Sequence, residues 1–328
     1  MWNYFKGDFM KTSKSFVLFL FLYSTLGFSK ESLTVRFTHK GKKFIFKASS
    51  EKGKYIFNKG AKKVIKVATL DWMPYVGKKL CKQGWVQQYT VAILGSLGYE
   101  VQSSFFPWAR AVSRVEKGKF DILYPEYFIE DSAPSDAIQG TKRIDHLAVS
   151  RPFPGGPIAF MARKGYKAKY NKNNQKSFLG LKGERIGAVR GYQNTPEFDK
   201  LMDSKPPFFK MKLSKNDVLN AKILDSRKVN LIIGDPSVIK YSVKTEKKLS
   251  AKRKEKILSN IETVTPHIQY NNLYFALSKK KSGWKELLRK INSRIAEFEK
   301  EGTMVKIIDE TNKQCKLSMD DTLRPYRK

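Results

Sequence analysis

Two stretches of the chain, 64–124 and 185–236, alternate between extended and helical patterns, and a chain that does so must cover each strand with a helix. Residues 64–69 predict a strand. Over 86–97, Val86, Tyr89, Ile93 and Leu97 share one helical face, and Gly98 stops the helix. A second strand over 99–105, a helix over 109–117 closed by Gly118, and a third strand over 120–124 follow. The alternation returns with a strand over 185–189, then a helix with Thr195 as N-cap and Pro196 at its first position. A helix over 217–227 and a buried strand over 229–233 complete the second stretch, which ends at Gly234-Asp235-Pro236. Such order implies α/β units, each a parallel sheet wrapped by helices. Between them Pro152-Phe153-Pro154-Gly155-Gly156-Pro157 predicts a Pro/Gly connector. A strand over 273–277 and an amphipathic helix over 284–301, with Leu287, Leu288, Ile291, Ile295 and Phe298 on one face, cannot form a domain alone and are expected to return to the first unit. The chain would then cross twice between two lobes.

The N-terminus has a different logic. Lys6, Lys11 and Lys14 precede an uncharged apolar run over 16–23, which ends in Gly27-Phe28-Ser29. That is the layout of a cleavable signal peptide, 1–29, with cleavage near Ser29 and a periplasmic or secreted product. The run is too short to span a bilayer, which takes about 20 apolar residues. The alternative is a short buried helix. Cys81 and Cys315 are the only cysteines. In an oxidising compartment the even count favours a disulfide over two free buried thiols. The net charge of +34 suggests a nucleic-acid partner, but the lysines are scattered in pairs and no nucleic-acid motif accompanies them. A solvated basic surface explains them, and no nucleic-acid partner is expected. Residues 30–63 predict a β-rich extension of small hairpins.

With these elements in order, the sequence resembles the periplasmic solute-binding proteins of the polar-amino-acid uptake type, family 3. Val67-Ala68-Thr69 with Trp72-Met73-Pro74-Tyr75 is similar to that family's first strand and ligand loop. Pro107-Trp108-Ala109-Arg110-Ala111, followed by Gly118-Lys119-Phe120-Asp121, resembles its aromatic loop, helix and third strand. Thr141-Lys142-Arg143 with Ser150-Arg151-Pro152-Phe153 resembles its arginine signature, although the segment between Tyr124 and Arg143 is longer and Arg151 replaces an acidic residue. Leu181-Lys182-Gly183, Asp235-Pro236 and Glu301-Gly302-Thr303 extend the likeness over about 64–312. The resemblance implies a type II, Venus-flytrap α/β fold. Lobe 1 would be 64–152 plus 274–328, lobe 2 would be 158–268, and the hinge would be 153–157 and 269–273. It implies a monomer that captures a small amino-acid-like ligand by closure and serves a membrane permease of an ABC transporter.

An amino acid needs a donor for its carboxylate and an anion for its ammonium. The resemblance gives these roles to Arg143 and Asp235, and a planar guanidinium suits a carboxylate. Each has an alternative: a surface salt bridge with Asp145 for Arg143, and a helix cap before Pro236 for Asp235. Gly191, Tyr192 and Gln193 form a turn whose free N–H groups suit an anion, or an ordinary strand-to-helix turn. Trp72, Trp108 and Tyr75 are candidate aromatic walls or core residues. Glu126 is a candidate for a second amino group or a solvated glutamate. His39, His146 and His267 lack metal-ligand spacing, and neither a phosphate loop nor a nucleophile motif occurs, so no metal, cofactor or catalytic residue is expected. The competing functions are a ligand sensor and a lyase or dehydratase on the same scaffold, for which Glu126 would be the acid or base.

Overall fold

Residues 33–170 and 178–316 are described by a computed structural model. The expected signal peptide, and the part of the expected first lobe beyond 316, lie outside the described residues. β1 (Thr34–His39), β2 (Lys42–Glu51) and β3 (Lys54–Phe57) form an antiparallel meander. It does not stand apart as small hairpins. β3 pairs antiparallel with β5 (Tyr99–Phe105), so the extension lengthens the sheet. Period-two alternation explains the docking: Val35, Phe37, Phe46 and Phe57 turn into the core that the rest of this half shares.

β5 runs parallel to β4 (Lys63–Thr69), and β4 runs parallel to β6 (Ile122–Glu126). α1 (Trp85–Ser96) and α2 (Trp108–Glu116) supply the crossovers. α3 (Arg143–His146) and β7 (Leu147–Val149) follow a long turn-rich segment. β6 begins at Ile122, two residues later than the pattern suggests, and Asp121 stands at the strand entrance, accepting a hydrogen bond from Lys66 N at 2.7 Å.

The second half is built on β8 (Phe153–Arg163), β9 (Arg185–Val189), β10 (Lys210–Ser214), β11 (Leu231–Gly234) and β12 (Ile261–Thr263). β9 is parallel to β10 and β11, whereas β8 is antiparallel to β11 and β12. The strands bury both faces. Ile158, Phe160, Leu231 and Ile233 meet Phe198 of α4 (Pro196–Met202) on one side. Met161 and Ile232 meet α5 (Asp217–Asp225), α6 (Pro236–Thr245) and α7 (Ala251–Asn260) on the other.

β13 (Gln269–Ser278) joins the halves: its later residues pair with β6 and β7, and its earlier ones with β8. The sheet is therefore mixed, not parallel. α8 (Trp284–Lys300) and α9 (Thr303–Cys315) then pack on the first half, burying Ile291, Ile295, Phe298, Ile307 and Ile308 beside α1. Cys81 and Cys315 are bonded, fastening the loop before α1 to the end of α9.

The Pro/Gly run at 152–157 proves to be strand from Phe153 onward. Its glycines answer to close approach, not to turning. A Cβ on Gly155 would lie 1.9 Å from the Asn271 carbonyl oxygen of β13, and one on Gly156 would lie 2.0 Å from Tyr75 Oη. Glycine in a strand interior commonly marks such a site.

Candidate functional site

Where the halves meet, a cavity with an empty volume of about 300 Å³ lies between them. Trp72, Trp108, Tyr127 and Tyr192 form its aromatic wall. Leu70, Pro125 and Leu273 fill the gaps, and Glu126 and Gln193 supply the polar groups.

The aromatic wall is held from both sides. Trp72 follows β4 in a tight loop closed by a backbone bridge to Val76, and its ring stacks on Tyr75 with centroids 4.4 Å apart. Trp108 opens α2 after its N-cap Pro107, and its indole Nε1 donates to the Gly191 carbonyl at 3.0 Å. Tyr192, in the turn after β9, meets the Trp108 ring edge-on and donates its hydroxyl to Asp217 at 3.1 Å. Gln193, with its amide turned to suit its neighbours, donates to the Phe128 carbonyl and accepts from Glu130 N.

Glu126 ends β6 and is 2% exposed. It is not a solvated glutamate. Burial pushes its pKa from 4.5 up to about 7, with the Arg143 guanidinium opposing the rise. Arg143 is also buried, and its partner is not Asp145. Nη1 donates to Glu126 Oε2 at 3.3 Å, while Nη2 donates to Asp136 Oδ2 at 2.7 Å and to the Gly191 carbonyl at 3.3 Å. Arg143 stands behind Glu126 and does not line the cavity.

Asp235 caps α6, accepting from Ser237 N at 2.7 Å and Val238 N at 3.3 Å. Its other oxygen accepts from Tyr75 Oη at 2.8 Å, across the two halves. Neither Asp235 nor Tyr75 lines the cavity. The turn after Gly191 is also occupied from within. Asn194 donates its backbone N–H and its side-chain amide to Asp199, at 2.6 and 3.0 Å. Burial raises Asp199 from 3.8 to about 7 despite those bonds.

Thus Trp72, Trp108, Glu126, Tyr192 and Gln193 come together at the cavity, while Tyr75, Arg143, Gly191 and Asp235 support it from behind. Sequence reasoning missed Tyr127 and Asp136. Both lie in the long segment after Tyr124, where no periodic pattern signals them. A second hollow of about 490 Å³ shares Tyr127 and Gln193 with the first and extends along Asn194, Gln269 and Asn271. Among the described residues no cluster of metal-ligating side chains occurs.

Comparison with known proteins places this geometry in a fold. The structure is similar to that of an ancestral arginine-binding protein bound to arginine, at 20% identity and a TM-score of 0.57, covering 76% of this chain and 98% of that one. It is similar to a histidine kinase sensor domain with similarity to periplasmic binding proteins, at 16% identity and a TM-score of 0.58, covering 76% and 96%. It is also similar to an arginine 3rd transport system periplasmic binding protein from Legionella pneumophila, at 15% identity and a TM-score of 0.56, covering 76% and 99%. No protein-family model matches the sequence, and no curated protein matches it. The fold is the two-lobed, type II periplasmic-binding-protein architecture, each lobe a sheet flanked by helices.

Proposed function

We propose that this chain is an extracytoplasmic solute-binding protein of the family 3 type, which captures a small amino-acid-like ligand between its lobes and delivers it to a membrane permease of an ABC transporter. The observation that carries the reading is the aromatic cavity at the seam, whose walls come from both halves: Trp72, Trp108 and Tyr127 from one, Tyr192 and Gln193 from the other. A ligand that touches both walls binds the closed form better and shifts the population toward it. The first lobe is 64–152 with 274–316, its sheet lengthened by the meander β1–β3, and the second is 158–268. The hinge is the paired ribbon of 153–157 and 269–273, where Asn271 lies opposite Gly156 and Leu273 opposite Phe153. Residues 1–29 direct export and are removed. The protein acts as a monomer and catalyses nothing.

The likeness to a histidine kinase sensor domain supports a second reading, in which the same closure reports ligand to a signalling partner. A thermal-shift screen of the purified chain against amino acids and amines tests binding itself. A ligand at about 100-fold excess over its Kd adds roughly 2.7 kcal/mol of stability. Mass spectrometry of the recovered ligand then shows it unconverted. Failure of every solute to shift the melt, or recovery of an altered ligand, sinks the reading. Co-purification with a permease separates uptake from sensing.

A further inference from the structure

The terminal donors that could grip a ligand's carboxylate with two bonds are already taken by carboxylates of the chain itself, leaving only the buried Nε of Arg143 without a partner among the described residues. Asp136 and Glu126 occupy both terminal nitrogens of Arg143. Asp199 occupies the turn at Asn194. Among the described residues, no lysine or arginine lines the cavity, and Glu126 is its one ionisable acid. A ligand carboxylate placed there would face Glu126 with no cation on the lining, the Arg143 guanidinium standing behind Glu126 and already paired, and an unpaired buried charge is costly.

The same walls suit the opposite charge. Trp72, Trp108, Tyr127 and Tyr192 line the cavity, and an aromatic ring attracts a desolvated cation placed over its face through its π electrons. Tyr127 Oη is buried and has no hydrogen-bond partner among the described residues, so its lone pairs are free to accept an N–H. Behind the wall, the Tyr192 and Tyr75 hydroxyls rest on Asp217 and Asp235. Composition does not explain this gathering of acids, because lysine and arginine number 64 against 30 acidic residues.

We propose that the cavity selects an organic cation that carries no carboxylate: an amine, a guanidine or a quaternary ammonium seated on the aromatic wall with Glu126 as its counter-ion. This rests on the solute-binding reading and keeps the ammonium or guanidinium of its amino-acid-like ligand while dropping the carboxylate. Arg143 is then a positioning residue that holds Glu126 at the wall.

Calorimetric titration of the purified chain at low salt with matched pairs tests it. The pairs are agmatine against arginine and choline against glycine betaine, each differing at the carboxylate. In at least one pair the carboxylate-free member binds roughly tenfold tighter or better. Glu126→Gln, folded by its circular dichroism, weakens that member by roughly tenfold. If the carboxylate-bearing members bind as tightly or more tightly, or if only common amino acids bind, the proposal is overturned and the solute-binding reading stands. If neither these probes nor any common amino acid binds, both fall together.

Discussion

Gly156 carries a constraint that its backbone torsions do not reveal. A methyl group there would meet Tyr75 Oη at 2.0 Å and Asp235 Oδ2 at 2.4 Å, both buried and bonded to each other. Gly156→Ala must therefore part that pair, and overpacking of this kind costs roughly 1–3 kcal/mol. Denaturant melts of the variant measure the loss, and an unchanged midpoint would mean the pair yields freely. Glu126 invites a different measurement. Its folded pKa of about 7 lies above its ordinary 4.5, because burial disfavours the charge. Between those values the folded chain holds more protons than the unfolded one. The stabilisation is full below 4.5 and is lost as pH rises through about 7. Asp199, raised to about 7, and Asp217, raised to about 6, act in the same sense. Stability should fall from about pH 5 to about pH 8, and Glu126→Gln should flatten the slope. A parallel slope in the variant would place the titration elsewhere. At this level the sequence was partly legible. Trp72, Trp108 and Glu126 could be chosen by residue type and loop position, but the preference of Arg143 for Asp136 over Asp145 is a matter of tertiary distance.

Helices announced themselves where a cap met a periodic face. Thr195 does accept from Phe198 N, at 3.3 Å, and Pro196 does begin α4. Strands were harder to read where the partner is remote. The meander β1–β3 has the right alternation, yet nothing local says that β3 will find β5. In β8 the Pro and Gly residues imitate a turn, because glycine serves close approach and reversal alike. The link between α9 and the loop before α1 is the element whose contribution can be isolated most cleanly. The Cys81–Cys315 bond closes a loop of 234 residues, and such a cross-link restricts the unfolded chain. Replacing both cysteines by serine should cost roughly 2–5 kcal/mol. Because Met304, Ile307 and Ile308 still pack on the first half, α9 should remain docked but exchange its amide hydrogens faster. Equal exchange in both forms would mean that packing alone fixes the helix.

For the molecule as a whole, the described conformation is one in which the halves touch. Tyr75 Oη reaches Asp235 at 2.8 Å, Trp108 Nε1 reaches Gly191 O at 3.0 Å, and Arg143 Nη2 reaches the same carbonyl at 3.3 Å. Gln193 also bridges the halves, donating to the Phe128 carbonyl and accepting from Glu130 N, and the ribbon of β8 and β13 joins them at the hinge. Of these bonds the one from Tyr75 ends on a buried carboxylate, so a single substitution there can move the population. Tyr75→Phe keeps the ring stacked on Trp72 and removes the hydroxyl. The lost bond to a buried carboxylate is worth roughly 1.5–3 kcal/mol, which is about a 10- to 100-fold shift between closed and open forms. Tyr75 does not line the cavity, so the intrinsic contacts with ligand are untouched and only the competent fraction falls. The ligand-free variant should show a larger radius of gyration by X-ray scattering than the parent chain, and any ligand it binds should bind more weakly, by at most that factor, in proportion to the fall in the closed fraction. An unchanged radius together with unchanged affinity would mean that closure is held by the packing of the aromatic wall itself, and that the hydroxyl serves only to satisfy Asp235 at the head of α6.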